Sequence, residues 1–91
     1  MKHFEDIWVE AERISSEVFP EESTRQMSNN IRLEAEQMLA FVDNDQCDML
    51  PESIGEILFY LTRICKQHNI NSWKELEEAV NNAKIDLYDE D

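Results

Sequence analysis

Residues 51 to 80 read PESIGEILFYLTRICKQHNINSWKELEEAV, and this stretch decides the fold. Pro51 has a backbone φ already suited to a first helical turn. Beyond it Ile54, Ile57, Leu58, Leu61, Ile64, Cys65 and His68 recur at spacings of three and four, which predicts a helix over 51–68 with one apolar face. A short break at 69–71 follows. Ser72 and Glu75 then form an S-x-x-E capping box, in which each side chain can satisfy the other residue's backbone N–H. The helix this opens, over 73–86, carries Trp73, Leu76, Val80, Ala83 and Leu87. Its acidic end, 86–91, has little apolar surface to pack and is expected to fray.

The same periodicity extends toward the N-terminus. Phe4, Ile7, Trp8, Ala11, Ile14 and Val18 mark one face of a helix over 4–18, which Phe19 and Pro20 end. The run EEST at 21–24 supplies acids and hydroxyls to start a second helix over 23–43, with Met27, Ile31, Ala35, Met38, Leu39 and Val42 as its stripe. A polar link at 43–48 leads back to Pro51. One glycine, two prolines and few β-branched residues leave no credible strand. The expectation is an all-α four-helix bundle, with 91 residues forming one domain over 1–91, since so short a chain cannot build two cores. Trp8 and Trp73 fall on the core stripes, and Met27, Met38 and Met49 read as packing. Leu33, Phe41, Phe59 and Tyr60 lie off the main stripes. Either these second faces meet in a homodimer or the third helix sits at the centre of the bundle.

Twenty-one acids against 8 bases give a net charge of −13, although 42% of the residues are hydrophobic. Such a chain repels nucleic acid and anionic membrane, and attracts divalent cations, basic proteins, or phosphate compounds bridged by a metal. The first ten residues contain acids and no uninterrupted apolar run, and no segment approaches the length of a membrane span. A cytoplasmic protein is expected, with Cys47 and Cys65 reduced. Two cysteines with no nearby histidine make neither a zinc site nor a triad. His3 and His68 are far apart in sequence, and His68 near a helix C-terminus reads as a partner for the helix dipole.

Carboxylates one turn apart at the start of a bundle helix can hold a divalent ion for phosphate chemistry. The words RLEAEQML at 32–39 and PESIGEILFYL at 51–61 carry this possibility. They resemble the MazG-like, all-α nucleotide pyrophosphohydrolases, in which an E-x-x-E helix precedes a helix opening similar to EELGDVLFYL. The resemblance covers roughly residues 22 to 84. It implies Mg²⁺ held by acids on both helices, hydrolysis of nucleoside triphosphates to monophosphate and pyrophosphate, and assembly as dimers or tetramers. Carried over residue by residue, Glu34 takes the first acidic position, and Gln37 stands where the second acid belongs. Ser53 occupies the next, and Glu56 the last. Glu52 and Glu36 are neighbours able to substitute, each displaced by one residue, or about 100° around a helix. The resemblance thus gives Glu34 and Glu56 as metal ligands, with Glu52 and Glu36 in support, and Gln37, Ser53 and Lys84 as substrate contacts. Asn82 and Lys84 lie near the family's last-helix positions without reproducing their spacing.

Gln37 and Ser53 offer neutral oxygens but no charge. Losing half the acids should therefore reduce catalysis more than binding, because hydrolysis needs the metal to neutralise growing charge. The resemblance leaves open an active enzyme and a binder without turnover. A reading from another class is a non-enzymatic acidic module that covers a basic protein, of inhibitor or immunity type. That reading places the weight on Asp43, Asp45, Asp48, Asp86, Asp89, Glu90 and Asp91 rather than on Glu56.

Overall fold

The computed structural model describes residues 3–15, 17–18 and 21–88. Within them the chain is all-helical: α1 is Phe4–Ser15, α2 is Thr24–Asp43, a 3-10 turn covers Cys47–Met49, α3 is Leu50–Gln67 and α4 is Ser72–Tyr88. No strand occurs among the described residues. No helix is long and apolar enough to cross a membrane. Phe19, Pro20, Asp89, Glu90 and Asp91, to which helix-ending and charge roles were assigned, lie outside the described residues.

The helix ends follow local chemistry. At the start of α2, Ser23 accepts from the Gln26 N–H at 3.1 Å while Gln26 Oε1 accepts from the Ser23 N–H at 2.8 Å. Two orphan donors are thereby satisfied in a reciprocal box. The C-termini of α2 and α3 close alike. Gln46 N–H donates to Phe41 O at 2.7 Å with Asp45 at φ 57°, and Ile70 N–H donates to Cys65 O at 2.8 Å with Asn69 at φ 55°. Each is a six-to-one bond across a left-handed residue, the Schellman closure, here made with Asp and Asn in place of glycine. α1 stops three residues before Val18: Glu17 and Val18 both donate to Ile14 O in a turn, and Ser15 Oγ donates back to Glu12 O at 2.7 Å.

α3 is the centre, packed along its length by α2 on one side and by α1 on the other. Met27 is the one buried hydrophobic residue among those described, at 1% exposure, with Ser15, Ser53, Thr62 and Arg63 the buried polar ones. Thr62 Oγ1 donates to Phe59 O at 2.7 Å, so its hydroxyl is buried with a partner. Arg63, inside the apolar run of α3, reaches Glu22 Oε1 at 2.6 Å and lies 5.8 Å from the ring centroids of both Phe59 and Tyr60. Two of the off-stripe aromatics therefore hold a buried guanidinium. Phe41 is half-buried, and Leu33 is exposed.

α4 departs from the expected bundle. It packs lengthwise against no other helix, and no residue in it is buried. It is attached at its first turn, where Phe4, Trp8 and Trp73 form an aromatic cluster with ring centroids 5.5 to 6.0 Å apart. Trp8 Nε1 donates there to Ser72 Oγ at 2.7 Å. The capping role assigned to Ser72 falls instead to Asn71, whose Oδ1 accepts from the Lys74 N–H at 3.1 Å. Beyond Trp73 and Leu76, the apolar residues of α4 are a stripe without a core beneath it.

Candidate functional site

The acids singled out in α2 and α3 meet where the two helices pack beside the 3-10 turn. Glu34, Gln37, Phe41, Met49, Glu52, Ser53 and Glu56 line one cavity of about 170 Å³. Two helical arcs make it. Glu34 and Gln37 are three residues apart on α2, and Glu52, Ser53 and Glu56 fall within one turn of α3. At about 100° per residue, positions 52 and 53 straddle the direction of 56, so Glu52 faces the cavity despite its displacement. The same arithmetic turns Glu36 roughly 200° from Glu34. Glu36 is instead paired with Arg32, Nη1 to Oε1 2.8 Å, on the exposed side of α2.

Within the cavity Ser53 is buried, Glu34 half-buried, and Gln37, Glu52 and Glu56 exposed. The buried hydroxyl forms the floor and the carboxylates the rim, with Phe41 and Met49 as apolar wall. Among the described residues no group of three or more His, Cys, Asp or Glu side chains is arranged to hold a metal ion. A cation here would need most of its ligands from water or from a bound phosphate, which is how Mg²⁺ is commonly held. The volume agrees with that demand. At about 170 Å³ the cavity is smaller than an ordinary small-molecule pocket, which suits a partly hydrated ion better than a nucleoside. Lys84 is exposed on α4 and does not line the cavity.

Two further features escaped the sequence. The Arg63–Glu22 pair fastens the chain before α2 to the second half of α3, joined by Gln67 Nε2 donating to Glu22 O at 3.1 Å and Asn30 Nδ2 donating to Glu22 Oε2 at 3.2 Å. Thr24 Oγ1 also hydrogen-bonds Gln67 and His68. A cation inside an apolar run was the available signal. The second is a cleft of about 270 Å³ between α1, α3 and α4, lined by Phe4, Trp8, Leu58, Leu61, Trp73 and Leu76 among others. Cys65 lines it too, its thiol pushed up by burial and then by the negative charges of Glu12 and Glu75. Cys47 is free and exposed.

Comparison with known proteins returns no matching family model, no matching curated protein and no matching solved structure.

Proposed function

We propose that the chain is a MazG-like helical protein that binds a divalent cation at the α2–α3 cavity, with Mg²⁺ the ion and the phosphates of a nucleotide completing its coordination. The observation that carries this reading is the convergence of Glu34, Gln37, Glu52, Ser53 and Glu56 on one small cavity from two helices. Glu34, Glu52 and Glu56 supply the charge. Gln37 and Ser53 supply neutral hydrogen bonds to ligand oxygen. The base and ribose of a nucleotide lie outside the cavity, whose volume of about 170 Å³ is below that of an ordinary ligand pocket. With few carboxylates around the ion, binding is weak and turnover to monophosphate and pyrophosphate is slow or lost. A homodimer belongs to the same reading, since the chain exposes more apolar surface than one copy can cover.

The test is thermal unfolding with Mg²⁺ alone and with Mg²⁺ plus nucleoside triphosphate, followed by chromatography of the nucleotide. The expected result is a rise in Tm with Mg²⁺ that nucleotide enlarges and Glu56→Gln removes. A rise unchanged in Glu56→Gln would overturn the site. No rise at all would favour the acidic module for a basic protein, which the exposure of Asp43, Asp45 and Asp48 at one end of α2 supports. That module is then sought by salt-sensitive binding to a basic protein.

A further inference from the structure

Beyond its first turn α4 packs lengthwise against no other helix. Trp73, Leu76, Val80, Ala83 and Leu87 succeed one another at spacings of three, four, three and four, a narrow stripe over two heptads with the spacing that paired helices use. All five are exposed, Leu76 by 53% and Leu87 by 63%. A helix of 17 residues is marginal in water on its own, and Val80, Asn81, Asn82 and Ile85 are not strong helix formers.

The whole molecule carries the same sign of incompleteness. Its accessible surface is 7222 Å², whereas a folded monomer of 10.8 kDa exposes about 5,500 Å². Its radius of gyration is 15.5 Å where about 12 Å is expected for this length. The excess, about 1,700 Å², is roughly twice the 800 Å² that one partner buries in an interface of standard size.

From this seam and this excess we infer that α4 is the surface on which two copies of the chain pair, helix against helix and antiparallel. The inference rests on the homodimer named above and assigns its interface. It moves that interface from the faces of Leu33, Phe41, Phe59 and Tyr60 to α4. Antiparallel packing sets Trp73 of one copy opposite Ala83 of the other, and Leu76 opposite Val80, so that large meets small in the outer layers. The parallel alternative stacks Trp73 on Trp73 and leaves Ala83 facing Ala83. Charge favours the antiparallel orientation. Each copy carries −13, and in this register the two Ser72 attachment points lie about 18 Å apart along the seam. That spacing exceeds the Debye length of about 8 Å at physiological salt, so the mutual repulsion is largely screened.

Sedimentation equilibrium of the full chain tests this, across protein concentration and from low to high salt. The expected species has twice the 10.8 kDa chain mass and tightens as salt rises. Val80→Glu is expected to weaken association about tenfold or more. This variant keeps the α1–α3 fold, because Val80 touches no core. Ala83→Cys in a Cys47→Ala background is expected to form no disulfide between copies, because the antiparallel register sets the two Ala83 positions about 15 Å apart along the seam. A monomer under all conditions would overturn the pairing itself. A dimer indifferent to Val80→Glu would overturn the assigned surface while leaving a homodimer standing. A ready Ala83→Cys cross-link between copies would overturn the antiparallel register. The cation-site variant Glu56→Gln is expected to leave association unchanged, which separates this proposal from that of the cavity.

Discussion

Trp8 Nε1 donates to Ser72 Oγ at 2.7 Å, a bond between residues 64 apart that ties the middle of α1 to the first residue of α4. Ser72 is a half-buried acceptor in an apolar surrounding, and its loss leaves an indole N–H with no protein acceptor. Ser72→Ala is expected to lower stability by about 1 kcal/mol. Urea unfolding followed by tryptophan emission measures it. An unchanged midpoint would mean that water serves the indole equally well.

Two ion pairs offer a contrast in burial. Arg63 and Glu22 pair with side chains only 4% and 23% exposed, while Arg32 and Glu36 pair at 60% and 61%. Removing one partner of a buried pair strands the other, at a cost of about 3 kcal/mol or more, so Arg63→Ala should be strongly destabilising. Arg32→Ala should cost about 0.3 kcal/mol, typical of an exposed pair four residues apart on a helix. Equal effects in chemical denaturation would refute the assignment of Arg63 as a fastening.

Asp45 ends α2 with φ 57°, a region where a Cβ is strained and a carboxylate faces the negative end of the helix dipole. Asp45→Gly is expected to raise stability by about 0.5 to 1 kcal/mol, and Asp45→Val to lower it. Paired thermal melts decide the matter, and a Gly variant no more stable than the parent would show that Asp45 is offset by contacts of its carboxylate.

Burial, and then the charges of Glu12 and Glu75, push the Cys65 thiol above its ordinary value. The folded chain therefore holds this proton more tightly than the unfolded chain. The stability this confers is complete below the ordinary thiol range and is lost as pH rises through the raised folded value. Cys65→Ala should flatten the alkaline limb of a stability-against-pH curve. In a thiol-labelling experiment on the native chain, exposed Cys47 should react well before Cys65.

Much of the helix pattern was legible because three-and-four spacing survives any tertiary arrangement. Met27, Ile31 and Met38 of the 27–42 stripe and Ile57, Leu58, Ile64 and Cys65 of the 54–65 stripe are buried or half-buried as periodicity placed them, whereas Ala35, Leu39, Val42, Ile54 and Leu61 are exposed. The cavity residues were singled out by the resemblance rather than by periodicity, and helix geometry then turned Glu52 toward the cavity and Glu36 away from it. What periodicity lacked was the partner of each face. The seam at 73–87 is apolar at core spacing, yet in one copy only its first turn is met, by Phe4 and Trp8, because a stripe records that a surface is covered and not by what. Ser72 was misassigned as a cap because its hydroxyl suits two roles, and only Trp8, far away in sequence, decides between them. Phe59 and Tyr60 looked like spare apolar surface because nothing local links them to the buried Arg63.

The bare flank of α4 has a consequence in time as well as in space. Amide hydrogens in α2 and α3 exchange with solvent only when the central packing opens, whereas those of α4 are guarded by a single turn of attachment and by whatever lies against the seam. Exchange in α4 should therefore slow as the solution is made more concentrated, while exchange in α3 keeps its own pace. One chain then carries two clocks, and only one of them counts its neighbours.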